Sequence, residues 1–495
     1  MRPINFKAMT GLASLSVAAL LLCAIRFRVC ASAGLADDEA YYRLWSLAPA
    51  LSYLDHPPMI AWIIAAGRWM AGDSPLGVRL GAPAVHLIGM LALWRTAALL
   101  YDRETARCAA WFLLAMPLLA VGGVIVTPDL PSVLFSGLVL WSLAEFYRSQ
   151  NANWWLAAGL FAGFGLLSKY TNLFLGVTTL LWLVAVPGNR KCFRAPQLWI
   201  GGLLAAALAS PVVIWNAQHQ WSSFAKQFGR VAPSGGMSLH YLAEWAGGYL
   251  GLASPVIALL AIVGLMRTVR SAIASRDSAD VLIVAAVLPM LGYFLTHALH
   301  DRVQANWLAP LYPVLAVCAA IGLKMAIPQG WQRTIAASAV GLGVLSIGAI
   351  YMHAVQPITA ILMRKDPTAQ MRGWAEFSEA ADKLRRDSGA AWVATSSYAT
   401  TGQLAFALKG RSEVAQLNER LRYAHLPPLA DSFQLRPALY IELSRRSNVE
   451  LLHQRFRRTS QLVSLNRDDG SIDGATYSIY LVADPITPQR QPFGP

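Results

Sequence analysis

Only 14% of this 495-residue chain is charged, yet four carboxylates lie close together in two short stretches. One reads Ala36-Asp37-Asp38-Glu39-Ala40-Tyr41-Tyr42, the other Tyr53-Leu54-Asp55-His56-Pro57-Pro58. Further polar groups follow in Thr127-Pro128-Asp129, in Ser168-Lys169-Tyr170, and between His300 and Asn306, where Arg302 lies. A loop aspartate or glutamate can take the proton of an attacking hydroxyl. A lysine, arginine or histidine can neutralise a departing phosphate. Each group also has a plainer use. A lone aspartate most often caps a helix or sits in a turn, and a lysine at the end of an apolar span snorkels to the interface. The clustering is what favours chemistry. No P-loop, no GxGxxG after a strand, no HExxH and no CxxC is present, so ATP-driven transport and soluble nicotinamide chemistry lose support.

The elements that must position these groups are mostly membrane spans. Hydrophobic residues make up 56% of the chain and fall in long runs, and about 20 apolar residues cross a bilayer core. Eleven spans are expected, near 9–29, 83–100, 108–126, 131–147, 154–168, 171–186, 198–215, 246–266, 281–298, 306–323 and 334–353. The net charge of +14 comes from basic residues scattered between these runs; it is read as loop bias and headgroup contact, with no nucleic-acid motif. With the N-terminus in the cytoplasm, Arg2, Lys7, Arg103, Arg107, Arg148, Arg190, Lys191, Arg194, Arg267, Arg270, Arg276, Lys324 and Arg333 fall inside, as the positive-inside rule requires. The polar clusters then share the outer face. Residues 1–30 resemble a signal peptide, but the spans that follow favour an uncleaved first helix. Arg95 and Glu145 lie toward the inner side and are read as structural, paired or snorkelling. The five cysteines suggest no disulfide framework.

Past Tyr351 the long apolar runs cease. Trp374 to Asp387 reads as an amphipathic helix, Ala391 to Thr395, Ala438 to Leu443 and Thr476 to Val482 read as strands, and helices are expected near 398–409 and 447–457. The fold class is therefore a mostly α polytopic membrane protein with a small C-terminal α/β extracytoplasmic domain. The expected organisation is a transmembrane domain at 1–354 with an outer loop at 30–82, an outer α/β domain at 355–484, and a disordered tail at 485–495. The loop 216–245, with His219, Trp221 and Lys226, is long enough for a short interfacial helix.

Asp38-Glu39-Ala40-Tyr41-Tyr42, Asp55-His56-Pro57-Pro58, Thr127-Pro128-Asp129, Leu167-Ser168-Lys169-Tyr170-Thr171 and Gln304-Ala305-Asn306-Trp307 resemble, in order and spacing, the family 39 type of polyprenyl-phosphate-sugar-dependent glycosyltransferases. These are bacterial relatives of the protein mannosyltransferases and of the lipid A aminoarabinose transferase, with the GT-C membrane architecture. The resemblance implies Asp38 as the catalytic carboxylate, with Glu39 beside it setting the local charge. It implies Lys169, His56 and Arg302 as donor-phosphate ligands, and Asp55, Asp129, Tyr42 and Asn306 as substrate or metal contacts. The pair Asp55-His56 stands where the aminoarabinose transferase has Glu-Lys, so the phosphate-facing lysine has become a histidine, only partly charged at neutral pH. Asp38, Asp55 and Asp129 offer oxygen ligands to a divalent metal ion, the one cofactor admitted. The implied reaction is inverting transfer of a sugar from a polyprenyl-phosphate donor to an extracytoplasmic lipid, glycan or protein at the bacterial inner membrane. A flippase or transporter of a lipid-linked glycan is the alternative; internal repeats or broken mid-membrane helices would favour it. A ligand sensor anchored by its spans is a further one, for which eleven spans are more than an anchor needs.

Overall fold

The computed structural model describes residues 11–229, 236–358, 366–469 and 474–486. Arg2, Lys7, Arg230 and the tail from residue 487 lie outside the described residues. The chain divides into two compact units. The first comprises Met1–Arg28, Asp55–Ile60 and Leu80–Ile350; the second comprises Val29–Leu54, Ala61–Arg79 and Tyr351–Pro495.

The first unit is helical. Among the described residues eight helices are long and apolar enough to cross a membrane: Leu12–Ser32, Pro75–Leu100, Asp129–Ser149, Pro196–Gln218, Pro255–Ser275, Ser278–Ala298, Ala305–Ala326 and Gln329–Val355. This is a multi-pass membrane protein, but the count of eleven is not confirmed. The run expected at 108–126 is two helices, Arg103–Leu114 and Pro117–Gly122. Pro117 lacks an amide hydrogen and disfavours helix in the residue before it, so the run breaks there. The run at 154–168 is a helix of 13 residues, Trp154–Leu166. The run at 171–186 belongs to Tyr170–Ala185, bent by 114° against Pro187–Arg194, and the pair makes a ninth span if counted as one.

Small residues set the closest helix contacts, as bilayer packing favours. A Cβ on Gly159 would stand 2.1 Å from the carbonyl oxygen of Gly201, and one on Gly264 would stand 1.8 Å from that of Cys318. Aspartates supply caps: the Asp102 side chain accepts from the amides of Glu104 and Thr105 at 2.9 and 2.8 Å. Arg95 and Glu145 do pair, at 2.7 Å, with the Trp141 indole adding a bond at 3.0 Å.

The second unit is built on a five-stranded sheet in the order β2-β1-β3-β5-β4. The strands are β1 (Trp392–Thr395), β2 (Val414–Gln416), β3 (Ala438–Leu443), β4 (Phe456–Arg467) and β5 (Ala475–Pro485). β1 runs parallel to β2 and β3; β5 is antiparallel to β3 and β4. The expected helix Trp374–Asp387 is present. It covers one face through Phe377 and Ala381, which pack with Val393, Leu404, Leu439 and Ile479. On β4, a bulge lies between Gln461 and Val463, and Leu462 and Val463 are exposed at this sheet edge. The unit also contains the helix Asp37–Trp45, against which Tyr398–Ala407 packs.

Candidate active site

In the second unit, the helix Asp37–Trp45 starts from Ala36 as its N-cap. Asp38 is therefore the second helical residue and not the cap. Ala36 has no side-chain oxygen to offer, and the amide of Ala36 instead donates to Glu39 Oε2 at 2.9 Å. Glu39 also accepts from Arg79 Nε at 2.8 Å, and both side chains of this pair are fully buried. Arg79 donates further to the carbonyls of Ala33 and Gly34, at 2.7 and 2.6 Å. An isolated buried charge is very costly; this pair exists because nearly every polar atom on it is met. Glu39 is thus committed to fixing the start of the helix. Asp37 and Asp38 are half-buried. The amide of Asp37 donates to Gln370 Oε1 at 3.0 Å, and its carboxylate accepts from Gln403 Nε2 at 2.9 Å. Burial raises the Asp37 pKa, outweighing the Gln403 bond and the charges of Arg467 and Arg446. Tyr42 is buried, its ring 4.7 Å from that of Trp45 and 5.7 Å from that of Tyr41.

In the first unit, three of the sequence motifs meet at one carboxylate. Lys169 Nζ lies 2.5 Å from Asp129 Oδ1, and Asn306 Nδ2 donates to Asp129 Oδ2 at 2.7 Å. Thr127 Oγ1 adds a longer bond to Oδ2 at 3.4 Å. Lys169 and Asp129 are both buried. The geometry follows from local structure. Trp154–Leu166 ends before Lys169, which is extended, and a short 3-10 turn begins at Tyr170. Asp129 opens the helix Asp129–Ser149, where a negative charge suits the helix dipole.

A second group lies in the same unit. Lys226, on the short helix Ser222–Phe228 found within the expected 216–245 loop, pairs with Asp55 at 2.8 Å, and Gln227 donates to the Asp55 carbonyl at 2.6 Å. That helix is tied to Tyr170, whose hydroxyl lies 2.8 Å from Ser223 Oγ. His56 follows Asp55 and is half-buried. Arg302 joins neither group in the interactions observed: it is exposed and pairs with Glu244. His219 stacks on Trp215 at 4.0 Å and its Nδ1 lies 2.8 Å from the Trp215 carbonyl, a structural arrangement.

Among the described residues no three His, Cys, Asp or Glu side chains come together as metal ligands. Asp55 faces a lysine, and Asp129 a lysine and an amide.

The helical unit and its sheet-bearing partner can be compared as a whole with solved structures. ArnT from Cupriavidus metallidurans superposes with a TM-score of 0.67 in its apo state at 14% identity, over 95% of this chain and 98% of ArnT. The same protein bound to undecaprenyl phosphate gives 0.66 at 12% identity, over 98% of this chain and 100% of that one. The chain has the GT-C fold. Residues 55–215 match the family described as dolichyl-phosphate-mannose-protein mannosyltransferase. That stretch holds Asp55, Asp129 and Lys169, while Asp38 precedes it. The lipid A galacturonosyltransferase RgtD of Rhizobium johnstonii is 24% identical over 76% of this chain and 78% of its own length. The undecaprenyl phosphate-alpha-4-amino-4-deoxy-L-arabinose arabinosyl transferase of Erwinia tasmaniensis is 29% identical over 24% of this chain and 22% of its own. The resemblance read from the motifs therefore holds: the sequence relatives of this GT-C chain are glycosyltransferases.

Sequence reasoning did not single out Arg79, Gln370, Gln403 or Gln227 for this GT-C site. Arg79 carried one faint mark, a charge directly before an apolar run. The glutamines carried none.

Proposed function

We propose that this protein is a glycosyltransferase that moves a sugar from a polyprenyl-phosphate donor to an extracytoplasmic acceptor: a lipid, a glycan or a protein. The observation that carries the reading is the meeting of Lys169 and Asn306, 40 and 177 residues from Asp129, on its carboxylate. A buried lysine held by an acid that an amide fixes in turn suits a phosphate ligand, because an ammonium has three donors and one bond to Asp129 does not exhaust it. The GT-C fold and the relatives named above support the same class of reaction.

In the proposed step, Asp38 takes the proton of the acceptor hydroxyl. The hydroxyl oxygen attacks the anomeric carbon from the face opposite the lipid phosphate. The bond from that carbon to the phosphate oxygen breaks, its electron pair stays on the oxygen, and configuration inverts. Lys169 neutralises the departing polyprenyl phosphate, with His56 and Lys226 as further cations beside Asp55. Glu39 keeps Asp38 in register without exchanging a proton. Asp129, Asn306, Asp55 and Tyr42 hold or border substrate. Arg302, exposed and paired with Glu244, is assigned a peripheral part. The N-terminus is placed in the cytoplasm on the basic-residue bias of the loops, and the sheet domain in the periplasm, which requires an odd number of spans such as the nine that include the bent pair.

The test is release of free polyprenyl phosphate by purified protein. A panel of polyprenyl-phosphate hexoses and pentoses would be offered with a lipid A-type acceptor first, since a relative is named for lipid A. Wild type should release lipid phosphate from one donor, and Asp38→Asn should be slower by about 100-fold or more. A chelator arm tests the divalent ion. Full activity in a folded Asp38→Asn protein would remove that residue as base. Translocation of a lipid-linked glycan in vesicles without any transfer would favour the flippase.

A further inference from the structure

The site helix Asp37–Trp45 is gripped by the helix Tyr398–Ala407, which follows β1 in the second unit. The grip is close at Gly402: a Cβ there would stand 2.8 Å from the Tyr41 amide nitrogen and 2.9 Å from the Ala40 carbonyl carbon. Gln403 Nε2 donates to the Leu35 carbonyl and to the Asp37 carboxylate, each at 2.9 Å. One turn back, Tyr398 packs against Tyr41, one helical turn from Asp38, and its hydroxyl feels the Asp38 carboxylate. The Tyr398 ring lies 5.2 Å from that of Tyr41, and the Arg422 guanidinium covers Tyr398 at 5.2 Å and Tyr41 at 5.6 Å.

Tyr398 is itself anchored. Glu442, on β3, is fully buried and accepts from Ser397 Oγ at 2.9 Å and Thr400 Oγ1 at 2.6 Å. A carboxylate at the first turn of the helix is favoured by the helix dipole. The sheet therefore fixes the helix start, the helix start fixes Tyr398, and Tyr398 meets Asp38.

We propose that Tyr398 is a positioning residue for the reaction, donating to the Asp38 carboxylate and holding it oriented, with Gln403 fixing the backbone beside it. The inference rests on Asp38 being the base proposed above. Burial, and after it the charge of Asp38, raise the hydroxyl pKa, so Tyr398 stays a donor throughout the working range. The charged groups around this seam are Asp37, Arg422 and Glu442, with Arg446 and Arg467 acting on Asp37 and the Glu39–Arg79 pair behind. Only Tyr398 changes in the test.

Tyr398→Phe keeps the ring and removes the bond. Losing a donor to a carboxylate raises the acid's pKa. The acid limb of kcat against pH should move up by about one unit, and kcat at neutral pH should fall about tenfold with the donor KM unchanged. A purely structural role would lower the yield of folded protein without moving the limb. Gln403→Met, of similar length, should lower kcat in the same direction and serves if Tyr398→Phe folds poorly. If Asp38→Asn is inactive while the pH limb and kcat of both variants match wild type, the positioning role is overturned and the base assignment stands. If folded Asp38→Asn retains full transfer, the base assignment itself falls, and this inference with it.

Discussion

At the scale of single residues, the neighbouring acids Asp38 and Glu39 divide the work. Glu39 is sealed against Arg79, so Glu39→Gln should cost stability; removing one partner of a buried pair typically costs about 3–5 kcal/mol. Asp38 is half-buried, and Asp38→Asn should leave the thermal midpoint nearly unchanged while abolishing transfer. Thermal unfolding in detergent beside the release assay separates the two. Lys169→Ala should raise the donor KM and lower kcat, since the ammonium is assigned to the phosphate in both ground and transition states. The residues that could carry chemistry were legible because polar groups stand out in an apolar chain. Their supports were not. Arg79 lies 40 residues from Glu39 and Gln403 lies 366 from Asp37. Nothing in the surrounding sequence marks either as a partner, since burial and direction arise only in the fold.

At the scale of elements, apolar length and glycine placement decide the packing. Gly159→Val should lower the melting temperature, because its side chain would be driven into the Gly201 carbonyl, and overpacking costs about 1–3 kcal/mol. Gly176→Ala, with nothing within 4 Å of the added carbon, should be neutral or gain up to about 1 kcal/mol of helix propensity. Eight expected spans are present as long helices. The remaining three are not confirmed as spans: hydrophobicity continues, but the helix breaks at Pro117, is short at Trp154–Leu166, and bends at Pro187 in a pair that counts as one span at most. In the sheet, β1, β3 and β5 were readable as short apolar or alternating runs. β2 has only three residues. β4 exposes residues on both faces, so its pattern lacks the alternation by which a half-buried strand is recognised.

At the scale of the whole molecule, the second unit is sensitive to acid. Arg43 and Arg68 converge on Asp73, and His353 and Arg372 on Asp366. Burial alone would raise both acids. The bonds from Arg43 and Arg68 hold Asp73 at about 2, and those from Thr368, Arg372 and His353 hold Asp366 at about 2, against an ordinary 3.8. A depressed carboxylate stabilises the folded state fully above its unfolded value and loses that contribution as pH falls through its folded value. The stability of the protein should therefore decline between about pH 4 and pH 2. Asp366→Asn should flatten that decline in an acid titration followed by circular dichroism; an unchanged slope would assign the loss elsewhere. The edge of the sheet carries a consequence for handling the protein in solution. Among the described residues strand β4 pairs with β5 alone, so its outer edge is a template on which a second molecule could add a strand and begin an aggregate. The bulge at Gln461–Val463 interrupts that template with a kink and the exposed Arg457 with a charge, while Arg458 pairs with Asp484. Replacing Arg457 with threonine should leave the fold intact and bring oligomers into a size-exclusion profile at concentrations where the native protein is monodisperse.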